Sequence, residues 1–205
     1  MEDSEIIEVL QKRLKFTNKA IKKLTYFHDY LLRWNNKYNL ISKNTENHVW
    51  LRHILDSAQL VKFIKDVKLG SISDLGSGAG FPGIILAIFY ADKPFHVKLV
   101  EKSPVKRIFL QQIASKLALN IQIIENAYSD SASADIIVCR AFKKLKEIVK
   151  ISREIYAKPH KIIILKGKDA QAEINALSLQ KNYSYSLKSS MTEPKSKIII
   201  FQVKK

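Results

Sequence analysis

Apolar residues in the first third of the chain recur at helical spacing. Ile7, Leu10, Leu14, Ile21, Leu24, Phe27, Leu31 and Trp34 follow one another at steps of three, four or seven, which places them on single helix faces. The spacing predicts helices over about residues 4 to 65. Thr17 or Asn18 is the cap between the first two, and the turn-forming run "NNKYN" ends the second. A third helix is expected after Thr45, carrying Val49, Ile54, Leu60 and Val61. From Ser71 the period changes. "SISDL", "FHVKLVE", "IQIIE", "DIIVCR" and "KIIILKG" read as β-branched strands. Helices are expected between the strands: Ile84 to Phe89 behind Pro82, a stretch opened by Pro104 with Ile108, Phe109, Ile113 and Leu117 on one face, and others before "KIIILKG" and after Gly167. Alternating strands and helices predict an α/β fold with a parallel sheet covered on both faces. The tail differs, because "YSYSLK" and "KSKIIIFQV" are joined by a turn containing Pro194 without a helix. A closing antiparallel hairpin follows. The change of period divides the chain into a helical extension, 1–66, and an α/β domain, 67–205.

Composition narrows the context. The 205 residues suit one domain with an extension, and 46% hydrophobic residues suffice for a core. No apolar run approaches the roughly 20 residues of a membrane helix. "MEDSEIIEVL" is acidic and amphipathic, unlike a signal peptide. The single cysteine, Cys139, and the scattered histidines offer no zinc spacing. A cytoplasmic protein without a bound metal is therefore expected. Charge adds a partner: 35 Lys and Arg against 19 Asp and Glu give a formal net charge of +16. Such an excess suits a polyanion, nucleic acid before an anionic membrane, although lysines spread over every surface would also produce it.

Chemistry concentrates in "SDLGSGAGFPGIILAIF", residues 73–89. A glycine-rich turn between a strand end and a helix start is a nucleotide site in this architecture. Two cofactors compete for it. Gly78, Gly80 and Gly83 satisfy G-x-G-x-x-G, with Glu101 following 18 residues after Gly83, as a nicotinamide enzyme would need. Asp74, Gly76, Gly78 and Gly80 equally give D-x-G-x-G-x-G, a loop associated with S-adenosylmethionine. There an acid at the loop edge is not repelled by cofactor phosphates and instead favours the ammonium and sulfonium charges. Asp74 and the terminal hairpin favour the methyl donor. The plainer alternative is a tight turn in which Asp74 caps a helix.

Several blocks together resemble the RsmG (GidB) methyltransferases: "LLRWNNKYNLIS", "HILDS", "DLGSGAGFPGIILAI", "VEKSPVKRIFLQQIA", "CRAF" and "LKG". The resemblance spans most of the chain. It implies a Rossmann-like class I methyltransferase that moves a methyl group from S-adenosylmethionine to N7 of a guanine in 16S ribosomal RNA. It also implies cofactor contacts at Gly76 and Phe81 in the loop, at Arg140, and at Ala127 and Tyr128 after the third strand. Tyr128 stands where the family usually carries an acid, so ring stacking would replace a hydrogen bond there. Glu101 falls where class I methyltransferases place a carboxylate, whose two oxygens match two ribose hydroxyls. Asp74 and Gly78 complete the cofactor set.

Guanine N7 has an in-plane lone pair and no proton to lose, so transfer needs positioning rather than a general base. No catalytic residue is assigned. Arg140 is the best placed polar group for cofactor or target, with Lys166 next. His53 and Asp56 share a helical face and either brace the helical extension or reach RNA. The expected partner is small-subunit ribosomal RNA or a ribosomal particle, bound by a monomer, with Lys143 and Lys144 contributing more than Lys22 and Lys23. The other readings are a methyltransferase of another RNA or of a protein, and a nucleic-acid-binding protein that keeps the fold without turnover.

Overall fold

The structure, a computed structural model, describes residues 1–64, 70–129, 134–156, 158–177 and 183–204. Its centre is a seven-stranded sheet: β1 (Ser71–Leu75), β2 (His96–Val100), β3 (Ile121–Ile124), β4 (Ile136–Arg140), β5 (His160–Lys166), β6 (Tyr183–Ser189) and β7 (Lys197–Val203). The strand order is β3-β2-β1-β4-β5-β7-β6. β1 to β5 run parallel, and β7 inserts antiparallel between β5 and β6. The expected terminal hairpin is therefore present, and its second strand, not its first, joins the parallel sheet. Strands β2 and β4 flank β1 and leave it in opposite directions along the sheet, so a crevice opens beyond the carboxyl ends of β1 and β4, the usual ligand position in such sheets.

Helices cover both faces. One face carries α1 (Asp3–Lys12), α2 (Asn18–Tyr38), α4 (Gly83–Phe89) and α5 (Pro104–Lys116). The other carries α6 (Leu145–Ile155) and α7 (Ala170–Asn175). Each face has its own apolar cluster. Ile6, Leu24, Phe27 and Leu31 of the N-terminal helices belong to the same cluster as Ile72, Leu99 and Phe109. The extension thus shares its core with the sheet; the expected boundary between residues 66 and 67 lies outside the described residues.

Local signals act as their chemistry requires. The Thr17 hydroxyl accepts from the Ala20 N–H at 3.1 Å, capping α2. Asn39, at φ 48°, ends it in the left-handed region. Pro82 stands immediately before α4. The third helix departs from the expected regular winding. It runs as a 3-10 turn over Lys43–His48, a π-helix over Trp50–Leu55, the short α3 (Asp56–Ala58) and a further 3-10 turn over Gln59–Phe63. A tertiary contact falls within the π-helical turn. The Arg140 guanidinium donates to the Arg52 carbonyl at 2.9 Å, and a side chain inserted into the helical ladder is a recognised source of irregular winding.

Candidate cofactor and substrate site

The glycine loop leaves β1 and turns back over the end of β2. Gly76, Gly78 and Gly80 have φ of 75°, 58° and 93°, a region open to glycine at no steric cost. The amides of Gly76 and Ser77 donate to the Val100 carbonyl at 2.9 and 3.0 Å, and those of Gly80 and Phe81 to the Ser77 carbonyl at 2.8 and 3.0 Å. The Gly78 amide donates to Glu101 Oε2 at 2.8 Å, and the Gly83 amide to Asp74 Oδ2 at 2.9 Å. These six loop amides are satisfied within the protein, and none of them is presented to a pyrophosphate. That arrangement counts against the dinucleotide reading, in which the loop's amides cradle phosphates.

Asp74 is not at the loop edge. It is fully buried beneath the loop, and its carboxylate caps the first amide of α4. Burial, opposed by the Gly83 and Ser77 hydrogen bonds, pushes its pKa up to about 7. This corrects the expectation that its charge faces the cofactor directly; the plainer capping alternative describes its position. Glu101 does reach the cleft. Its Oε1 accepts from the Ser103 amide at 2.8 Å while Oε2 holds Gly78, so the carboxylate is fixed and each oxygen retains acceptor capacity.

A cleft of about 990 Å3 opens over the loop. Gly76, Gly78, Phe81, Glu101, Ala127 and Arg140 all line it. Tyr128 does not: it is 58% exposed. Asn126 Oδ1 accepts the Tyr128 amide at 3.0 Å, and this turn carries the ring outward. Asn126 itself lines the cleft and was missed in the sequence, because nothing marks which residue of a turn faces inward. Phe142 was missed too. Its ring occupies the space that a Cβ at Gly76 would take, and only the close approach of the strand ends reveals it. Lys166, ranked after Arg140, points away: its ammonium donates to the Lys143 carbonyl at 2.8 Å and to Glu173 Oε1 at 2.9 Å. Lys143 borders the cleft but is paired with Glu147 at 2.8 Å.

Arg140 is clasped from the helical segment. Besides Arg52, it donates through Nη2 to His53 Nδ1 at 2.7 Å and lies 3.6 Å from Asp56 Oδ2. Its guanidinium stacks over the Phe81 ring at 5.0 Å, and His53 stacks on the same ring at 4.9 Å. Burial, then the charges of Arg140 and Arg52, holds the His53 pKa down to about 3. The ring is therefore neutral. Nδ1 accepts from Arg140, which leaves the proton on Nε2 to bond Thr45 Oγ1 at 2.9 Å. His53 and Asp56 brace the extension against the strand ends. Burial pushes the Asp56 carboxyl up, while Arg140 and the Thr192 hydroxyl pull it back.

The His53 shift has a stability consequence. Its folded pKa lies below the ordinary 6.5, so its contribution is complete above about pH 6.5 and is lost as pH falls toward about 3. Urea unfolding between pH 4 and 8 should show a His53→Gln variant with a shallower acid slope than the parent, by up to about 1.4 kcal/mol per pH unit. Parallel slopes would place the ring in contact with water.

The strand order, the internally satisfied glycine loop and the carboxylate at the end of β2 together define a Rossmann-like class I methyltransferase, a protein that takes its methyl group from S-adenosylmethionine. Solved structures share the fold. The fibrillarin/Nop5p complex matches at a TM-score of 0.57, with 15% identity over 76% of this chain and 82% of that one. The ribosomal protein L11 methylase of Lactobacillus delbrueckii subsp. bulgaricus matches at 0.57, with 14% identity over 78% and 80%. Sequence comparison goes further. Residues 20–199 match the family profile GidB, rRNA small subunit methyltransferase G. Ribosomal RNA small subunit methyltransferase G of Rickettsia prowazekii is 38% identical over 188 residues, 91% of this chain and 95% of the relative. The protein of the same name from Orientia tsutsugamushi is 32% identical over 200 residues, 97% and 98%. The chain belongs to the rRNA small subunit methyltransferase G (GidB) family.

Proposed function

We propose that the protein transfers a methyl group from S-adenosylmethionine to N7 of a guanine in 16S ribosomal RNA, as a cytoplasmic monomer that needs no membrane. The observation that carries the choice of acceptor is membership of the rRNA small subunit methyltransferase G family; in the cleft, the titratable groups of His53 and Glu101 are already engaged in holding its shape. His53 is neutral with both nitrogens engaged, and the Glu101 carboxylate is oriented by two backbone amides with one acceptor site left on each oxygen for the cofactor's hydroxyls. Such a site suits an acceptor that has a lone pair and no proton to lose. In support of the location, no helix among the described residues is long and apolar enough to cross a membrane.

S-adenosylmethionine supplies an electrophilic methyl carbon on a sulfonium centre. The residues present fit it: Gly76 and Gly78 keep the loop free of side chains, Glu101 offers two fixed acceptors for vicinal hydroxyls, and Ala127 leaves room beside Asn126. Phe81 and Arg140 close the side toward the helical segment. Asp74 acts from below by holding the loop to α4, and Tyr128 contributes through its backbone turn. The protein's task is to position the acceptor and to keep the cleft in shape. Arg140, fixed by three partners, is the group placed to orient a base.

Incubation with methyl-labelled S-adenosylmethionine and either small-subunit RNA or the assembled particle tests this. One labelled guanine, cleaved by borohydride and aniline as N7-methylguanosine is, is the expected result. Label on another atom or on protein would move the substrate. Cofactor binding with no transfer to any RNA would favour a binding protein that keeps the fold.

A further inference from the structure

Four of the large apolar residues with marked exposure lie on two neighbouring helices: Tyr26 and Tyr38 on α2, Val105 and Ile108 on α5, with Tyr38 48% and Ile108 47% exposed. The helices pack antiparallel. Lys23 reaches the Leu117 carbonyl, the Tyr30 hydroxyl donates to Gln112 at 2.5 Å, and Trp34 meets Phe109 edge-on at 5.5 Å. The same progression carries Tyr38, whose ring lies 4.9 Å from Trp34, toward the start of α5. The cleft begins there, since Leu40 and Ile41, just after α2, and Lys102 and Lys106, at the start of α5, line it.

Charge on this face is one-sided. α2 has Asp29 as its only acid beside Lys19, Lys22, Lys23, Arg33 and Lys37, and α5 has none. Among the described residues no ion pair engages Arg33, Lys37, Lys102 or Lys106. Arg33 and Lys116 each lie 5.7 Å from the Tyr30 ring centroid. Lys143, on the opposite rim, is matched by Glu147. Exposed rings interleaved with unpaired cations, continuous with a cleft, are what a single-stranded nucleic acid needs: bases stack and phosphates are neutralised.

We infer that the α2–α5 face is the docking surface for the RNA substrate, with unpaired bases resting on Tyr38 and Ile108 and the backbone tracked by Arg33, Lys37, Lys102 and Lys106 into the cleft. The inference rests on the proposed RNA substrate. It adds a second surface to the sequence-based expectation that Lys143 and Lys144 contribute more than Lys22 and Lys23.

The test measures binding of a small-subunit RNA transcript by the full chain at several salt concentrations, beside calorimetry with S-adenosylmethionine. None of Arg33, Lys37, Tyr38 and Ile108 lines the cleft. Tyr38→Ala with Ile108→Ser should weaken RNA binding at least about 5-fold, the lower bound for losing one stacked base, and leave cofactor affinity unchanged. Tyr38→Phe should retain binding. Arg33→Gln with Lys37→Gln should reduce the slope of log affinity against log salt by about 1.4–1.8. If the parent methylates RNA but these variants bind it equally, while Lys143→Gln with Lys144→Gln loses the slope, the surface is misplaced although the function stands. If the parent methylates no RNA, the function itself fails. Altered self-association with unchanged RNA binding would make the face a protein contact and overturn the inference.

Discussion

Gly76→Val should abolish measurable S-adenosylmethionine binding in calorimetry while the protein remains folded. Two independent effects act. Gly76 sits at φ 75°, where a β-branched residue is strained by about 1–3 kcal/mol. A Cβ there would also run into the Phe142 ring, and Phe142 lines the cleft. Relief of the clash must shift either the ring or the loop, and both line the cleft proposed to hold the cofactor. Strain alone lowers affinity by about 5- to 150-fold if it is relieved by leaving the binding geometry. Gly167→Val is the control, because a Cβ there meets nothing within 4 Å; its affinity should match the parent. Unchanged binding by a folded Gly76→Val protein would remove the loop from the site.

Asp56→Ala should be the most destabilising single change near the site, lowering unfolding free energy by about 3–5 kcal/mol, the range for stranding one partner of a buried ion pair. The Asp56 and Arg140 side chains are only 16% and 19% exposed. Asp56 Oδ1 also accepts from Gln59 at 2.9 Å and from the Thr192 hydroxyl at 2.8 Å, so the carboxylate ties the terminal hairpin turn to the helical segment and to Arg140. Methyl transfer should fall as well, because Arg140 would lose its charged partner. Thr192→Val removes the hydroxyl's bonds to Asp56 and to Ser190 and should cost about 1–2 kcal/mol. Urea unfolding of both variants checks the ranking. A loss below about 1 kcal/mol for Asp56→Ala would mean that Arg52 and His53 hold Arg140 without it.

The fold was legible because its signals are local and repeated. A period of three to four before residue 65, β-branched runs after residue 71 and a tail of two strands without a helix each limit what the backbone can do. The lining of the candidate cleft was legible where backbone conformation demands a residue type, as at Gly76 and Gly78, or where a strand ends in an acid, as at Glu101. Asp74 shows where that reading stops. A D-x-G motif is compatible with a carboxylate facing a cofactor or capping a helix, and the choice depends on where α4 begins relative to the loop. Tyr128 and Asn126 are a similar case, since one side-chain hydrogen bond decides which of the two faces inward.

By itself the sequence determined the α/β alternation, the glycine loop, the hairpin, the excess of positive charge and the family. The first four follow from residue type and spacing along the chain; the family follows from the resemblance of whole blocks and from the sequence comparisons. Only the tertiary structure decided the partners of Arg140, the winding of residues 43–63, the burial of Asp74 and the pairing of Lys143, as well as the convergence of Tyr38 and Ile108 on one face. Arg140 and Arg52 are 88 positions apart, and Asp56 and Thr192 are 136 apart. No local pattern encodes such contacts; they arise when two apolar faces close on one sheet and bring its strand ends against the helical segment.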